Sequence, residues 1–303
     1  MKDTKNIKKF LKTVFARKVT VINAIIVLIF IFLAIFAPFV APYDPDKPDF
    51  AAFLQLPSAA HVLGTDNFGR DVLSRIIYGT RVSLIIGVLA VVVACAVGTV
   101  LGMIAGYFGG WIDDVITRLM EAVRAIPQII LAMALTAVFG SGIRNLAIIL
   151  GISSMAGYVR MMRGQVLTIK QADYIMAGKL QGNKDFRLMF RHILPNCVST
   201  IVVQITLDLA YAILDLAALS FLGLGVQPPT ADWGAMLDEG RNFLLQNPLL
   251  ALAPGLAIIV TVVALNIFSD GIHQYFEPIQ RKLPSFEKVE RRMKKEAQKK
   301  EVA

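Results

Sequence analysis

Residues 82–106 read VSLIIGVLAVVVACAVGTVLGMIAG, twenty-five positions without a charge. At ~1.5 Å per residue, a helix of that length reaches about 37 Å, enough to cross roughly 30 Å of hydrocarbon. Small residues recur along it at every fourth position: Ala90, Ala94, Gly98, Gly102 and Gly106. That spacing puts all five on one face, where another helix backbone can approach closely. Tight packing within one subunit is the reading favoured, with a subunit interface as the other.

Five further apolar runs lie at about 19–41, 119–139, 145–163, 196–222 and 249–269. The run at 145–163 is the most polar, diluted by Ser153, Ser154 and Tyr158. Backbone groups in lipid must be satisfied within the segment, and none of the runs alternates as a barrel strand would, so each is expected to be a helix. The fold class is therefore an all-α polytopic membrane protein with six transmembrane helices. Composition agrees: 56% of residues are hydrophobic and 17% charged, too few charges to cover a soluble protein of this size.

The net charge of +9 would suggest nucleic acid in a soluble chain. Here the basic residues crowd beside apolar runs, so the bilayer accounts for them and no nucleic-acid partner is expected. Counting lysine and arginine over alternate connections puts 25 on one side and six on the other. The positive-inside rule then places both termini in the cytoplasm. The chain divides into a cytoplasmic segment (1–18), a first anchor (19–41), an extracytoplasmic segment with an amphipathic helix (42–81), a core of five spans (82–272) and a charged cytoplasmic tail (273–303). The core carries a cytoplasmic connection at 164–195 and an outer loop at 223–248. The first run is too long for the core of a cleavable signal, so it is expected to stay as an anchor. Cys95 and Cys197 sit in apolar runs and form no disulfide framework.

In the outer segment, Asp66 is expected to cap a helix whose Val72, Leu73, Ile76 and Ile77 form one apolar face, with Arg70 and Arg75 off it. Such a helix would lie on the outer membrane surface. LGLGVQPPT (222–230) reads as a rigid connection, followed by Trp233 at the membrane interface. Asp208 and Asp215 lie seven residues apart on one face of the fifth run, and acids within a span face a cavity or a partner. Either a structural hydrogen bond or a place on a translocation path satisfies that rule, and Asn266 in the last run is a candidate partner. Glu121 and Arg124 suggest an ion pair at a helix end. His61, His192 and His273 are scattered, with no metal-ligand spacing.

The cytoplasmic connection contains QADYIMAGKLQGNKDFRLMFRHILPN (171–196). Ile175, Leu180, Phe186 and Phe190 alternate with polar residues, Gly182 and Asn183 mark a break, and Pro195 opens the next span. Two short helices joined at a glycine would form a compact knob, while a plain interfacial helix is the alternative.

This string resembles the Glu-Ala-Ala loop of permease subunits of binding-protein-dependent ABC importers. The matching positions are Met176, Ala177, Gly178, Gly182 and Leu194-Pro195, with Met176 in place of the glutamate and Gly178 in place of the second alanine. HVLGTDNFGRDVLSRIIYGTRVSL (61–84), GYFGGWIDD (106–114) and LSFLGLGVQPPTADWGAMLDEGR (219–241) are similar to the peptide and nickel importer permeases, most of all to the C-type subunit of dipeptide and oligopeptide permeases. The resemblance implies a MetI-like permease bundle in a bacterial inner membrane. It implies as partners a homologous second permease, two ATPase subunits and an extracytoplasmic binding protein. An ATPase-coupling loop would include Asp173, Tyr174, Ala177, Gly178, Gly182, Arg191, His192 and Pro195. Asp208, Asp215 and Asn266 would be candidates for the path or the subunit interface.

No G-x-x-x-x-G-K-[ST], H-E-x-x-H or G-x-S-x-G string occurs, so no phosphate loop, zincin site or hydrolase elbow is expected. ATP-Mg would be bound by the partner ATPases, and this chain would hold no cofactor. Nickel, metallophore and glutathione permeases share this look and are alternatives to a peptide permease. A secondary transporter would show a duplicated half-sequence with broken helices, and a membrane enzyme would need more than two acids on facing spans.

Overall fold

A computed structural model describes residues 18–276. The expected basic N-terminus and the charged tail at 284–303 lie outside the described residues. Helix α1 spans Lys18–Val40, bends at Phe36 and contains Pro38. Helix α2 spans Val72–Phe108, a single run of 37 residues. At ~1.5 Å per residue it measures about 55 Å, well beyond the hydrocarbon thickness. The expected amphipathic helix at 61–84 is thus no separate surface element. It is the outer end of the second span.

The cap also differs from expectation. Asp71, not Asp66, accepts from the Ser74 amide at 2.8 Å. Asp66 instead closes its own turn, accepting from the amides of Phe68 and Arg70. The expected third span, 119–139, is two helices, α3 (Gly110–Ala125) and α4 (Gln128–Phe139), bent by 92°. The cause is Pro127. It has no N–H to give the ladder, and it drives Ile126 out of the helical region to φ −92°, ψ 128°. Among the described residues, five helices are long and apolar enough to cross a membrane, or six if the bent pair counts as one broken span.

Helix α5 (Ile143–Ile169) lies along α2. The small-residue stripe of α2 meets it, so the stripe packs within the subunit. A Cβ at Gly98 would stand 2.5 Å from the Cβ of Tyr158, and one at Gly102 2.5 Å from the Val159 carbonyl oxygen. After α5 come α6 (Asp173–Leu180) and α7 (Asp185–Leu188). A π turn at Met189–Ile193 joins α7 to α8 (Leu194–Phe221). Helix α9 (Trp233–Arg241) is the short helix of the outer loop, and α10 (Leu249–Phe276) closes the bundle against α8, α9 and α1.

Trp233 does not sit at the lipid interface. It is fully buried. Its indole N–H donates to the Ile76 carbonyl at 3.0 Å, and the Phe30 ring meets it edge-on at 5.8 Å. One tryptophan therefore ties α1, α2 and α9 together. Arg70 and Arg75, expected off the apolar face, are also buried. Arg70 bonds Asp66 at 2.7 Å and Glu239 at 3.1 Å. Arg75 donates to the carbonyls of Pro45 and Pro229 and lies 3.5 Å from the Asp66 carboxylate. Their charges are neutralised inside the protein, which is how buried arginine is tolerated. The outer segment before α2 and the loop before α9 are thereby one plate.

Candidate functional site: a helical knob and a polar cleft

The knob forms as two short helices. Gly182, at φ +77°, makes the turn between them, a conformation that costs a residue with a Cβ. Asn183 holds the turn, donating from its amide N–H and its side chain to the Gly178 carbonyl at 3.2 and 3.0 Å. Gly178 stands where the resemblance leads one to expect alanine. A Cβ there would lie 3.0 Å from the end of the Leu188 side chain, which would have to shift by a few tenths of an ångström.

Ile175, Met189 and Ile193 point inward and join a core with Met103, Met162, Val166 and Cys197. The knob is thus seated on the inner ends of α2 and α5. Three polar links reinforce the seat. The Tyr107 hydroxyl donates to the Asp185 carboxylate at 2.6 Å. Lys170 donates to the Gly106 carbonyl at 2.8 Å, and Arg163 bonds Asp113 at 2.7 Å. Asp113 and Arg163 are the partners that pair α3 with α5. Glu121 and Arg124, the expected pair, make no ion pair.

The other side of the knob is open and apolar. Tyr174, Met176, Leu180, Phe186 and Phe190 are exposed, Leu180 at 90%. The rings of Phe186 and Phe190 lie 4.4 Å apart. A contiguous apolar patch rimmed by charge marks an interaction surface. Asp173, Ala177 and Arg191 are exposed around it, and His192 is half-buried. Pro195 lies in the first turn of α8, as expected.

The second feature is a polar cleft of about 210 Å³ between the α3–α4 bend, α5 and α8. Arg124, Gln128, Ser154, Gln204, Asp208 and Tyr211 line it. Asp208 accepts from Gln204 at 2.9 Å. Asp215 accepts at 2.7 Å from Gln128, which also donates to Ser154 at 3.1 Å. Asp208 thus lines the cleft, and Asp215 is joined to it through Gln128. Asn266 does not join them. Its side chain donates to the Val262 carbonyl of its own helix at 3.0 Å, and Thr206 and Ser269 share a side-chain hydrogen bond between α8 and α10 at 2.8 Å. Satisfying a backbone carbonyl one turn back is the shortest route for an amide in a span.

Sequence reading missed Gln128, Gln204 and Arg124 as cleft residues. Gln204 was legible as a partner one turn before Asp208. Gln128 and Arg124 were not, because only the bend at Pro127 brings them to α8. A larger groove of about 460 Å³ between α1, α2, α8 and α10 is lined almost wholly by apolar side chains.

Residues 98–282 match the model of the family described as binding-protein-dependent transport system inner membrane component. The chain belongs to this family. Residues 7–57 match the N-terminal transmembrane domain of oligopeptide transport permease C. The chain is 41% identical over 272 residues to the glutathione transport system permease protein GsiD of Pectobacterium atrosepticum, covering 89% of this chain and 90% of that one. It is 41% identical over 261 residues to the dipeptide transport system permease protein DppC of Alkalihalophilus pseudofirmus, 86% of each. It is 41% identical over 279 residues to the di/tripeptide transport system permease protein DppC of Pseudomonas aeruginosa, covering 90% and 92%. This is a multi-pass membrane permease subunit of the C type, a member of a family of transport subunits rather than of enzymes.

Proposed function

We propose that this permease carries short peptides inward as half of the membrane channel of an ATP-driven importer. A homologous permease supplies the other half, an extracytoplasmic binding protein delivers the cargo, and two ATPase subunits bind ATP-Mg below. The membrane is the bacterial inner membrane, with both termini of the chain in the cytoplasm. The peptide class is supported by relatives named for dipeptides, di/tripeptides and glutathione, itself a tripeptide. The orientation is supported by the 25-to-6 distribution of basic residues.

The observation that carries the mechanism is the knob, apolar on its free side and clamped on the other. A surface that transmits force must move as one body with the helices that move. Here the core at Ile175, Met189 and Ile193 and the Tyr107–Asp185 bond join the knob to α2, α5 and α8. An ATPase seated on Leu180 and Phe186 would thus push on those helices together, and its closure would drive alternating access. Asp208 and Asp215 would line this subunit's share of the path.

The test is Gly182→Asp in the reconstituted importer. The position faces open space, so nothing inside the subunit resists the side chain, although the positive φ is strained. Co-purification of the second permease should persist. ATPase docking should weaken, or hydrolysis should continue without uptake. Wild-type docking, stimulation and uptake together would exclude the knob as the coupling element.

A further inference from the structure

We propose that the cleft between the α3–α4 bend, α5 and α8 recognises the charged ends of a peptide in passage, with Asp208 taking the α-ammonium group and Arg124 the α-carboxylate. The inference rests on the peptide-importer reading and deepens it.

Charges at membrane depth are costly and are kept beside a countercharge or a water-filled route. Asp208 is the fifteenth of the 28 residues of α8, half-way along it. Its hydrogen-bond partners are neutral, the Gln204 amide and the Tyr158 hydroxyl, and among the described residues it makes no ion pair. Arg124, in the last turn of α3, makes none either. One charge of each sign therefore lines one cleft, and among the described residues neither is in an ion pair. Asp215 differs, since Gln128 holds it and Ser154 holds Gln128.

The wholly buried Tyr158 sets its hydroxyl against the Asp208 carboxylate, a neutral partner that brings no countercharge.

A short peptide with free ends has the matching chemistry. It carries one positive and one negative end on a chain of amides, which Gln128, Ser154, Gln204 and Tyr211 can meet.

The experiment uses the complete importer in proteoliposomes. Uptake of a free-ended tripeptide, its N-acetylated form and its C-amidated form is measured at equal fractional loading of the binding protein. Asp208→Asn should lower uptake of the free-ended peptide about tenfold, the size of one lost charge-assisted hydrogen bond, and leave the low acetylated rate where it was. Arg124→Gln should do the same with respect to the amidated form. Equal losses for free and blocked peptides, or no loss, would overturn the proposal. Loss of the second permease on co-purification of Asp208→Asn would also overturn it, placing the countercharge in that subunit. A wild-type importer that takes up none of the three would instead sink the peptide reading itself, and this inference with it.

Discussion

Tyr107 donates its hydroxyl to Asp185 at 2.6 Å, joining the inner end of α2 to the first residue of α7 across 78 positions of sequence. Lys179 adds its ammonium group over the same ring at 5.6 Å. This small cluster is the polar half of the knob's seat, beside the apolar half at Ile175 and Met189. Tyr107→Phe keeps the ring and removes the bond. The bond is charge-assisted but partly solvated, so its loss should cost about 1 kcal/mol. Amide exchange over residues 173–188 should quicken about fivefold, and more ATP should be hydrolysed per peptide imported. Unchanged exchange in that segment would show that the apolar seat alone holds the knob.

The α2–α5 contact allows no side chain at its tightest point. A Cβ at Gly102 would sit 2.5 Å from the Val159 carbonyl oxygen and 2.9 Å from the Met162 Cβ. Backbone cannot step aside as a side chain can, so Gly102→Leu should force the helices apart and cost more than about 3 kcal/mol. Gly164, on the same partner helix, faces open space. Gly164→Ala should be neutral or stabilising by about 0.5–1 kcal/mol, since alanine is the better helix former. Fluorescence-detected size-exclusion profiles of the two variants should separate, with only Gly102→Leu losing the folded peak.

Asp232 caps α9, accepting from the amides of Gly234 and Ala235 at 3.1 and 3.2 Å while fully buried. Burial is the largest influence, and it holds this carboxyl above its ordinary 3.8. The folded state therefore binds the proton more tightly than the unfolded chain does. The group's contribution to stability is greatest in acid, and it declines as pH rises from about 4 through the raised value. Asp232→Asn keeps an acceptor at the cap and cannot ionise. Its Tm in detergent should vary less with pH between about 4 and 7 than that of the wild type. An identical slope in the variant would assign the dependence to another group.

Much of this was legible in the chain. The uncharged run at 82–106 announced a span, and its four-residue stripe announced a face for close helix packing. Gly182-Asn183 announced the break in the knob, because only a local rule is needed to read a glycine turn. What failed were statements about partners. Trp233 and Arg75 look like interface residues in one dimension, and both are buried because a loop about 150 residues away folds over α2. The α3–α4 bend was written in Pro127, but apolar residues continue across it, and hydropathy does not register a lost N–H. Asn266 was assigned to Asp208 or Asp215 by polarity alone, and its own helix satisfied it first.

The outer plate should depend on Arg75 more than on any surface charge. Its guanidinium reaches the Pro45 and Pro229 carbonyls and lies near Asp66 and Glu239. Arg75→Ala leaves those acceptors buried without their donor, a loss of about 3–5 kcal/mol. Arg75→Lys should recover little, because an ammonium cannot reach several acceptors in one plane. Thermal unfolding in detergent should show both variants well below the wild type. A lysine variant at the wild-type Tm would mean that charge alone, not the planar fork, holds the plate.

The proposed orientation rests on charge counting, and the structure decides where to probe it. Asp232 lies in the outer loop but is fully buried, so a cysteine there would be unreactive for the wrong reason. Leu245, in the same loop, is fully exposed. Lys184 is exposed on the knob at the opposite end of the bundle. Cys95 and Cys197 are both free, and Cys197 is buried. Replacing both with serine or alanine removes the background. In right-side-out vesicles, a membrane-impermeant maleimide should then label Leu245→Cys and spare Lys184→Cys until the membrane is opened. The basic residues near the knob should anchor that side inside, because moving them across the bilayer during insertion opposes the positive-inside bias. Labelling of Lys184→Cys in sealed vesicles, with Leu245→Cys protected, would invert the protein. The knob would then face away from ATP, and the coupling mechanism proposed for it would fall with the orientation.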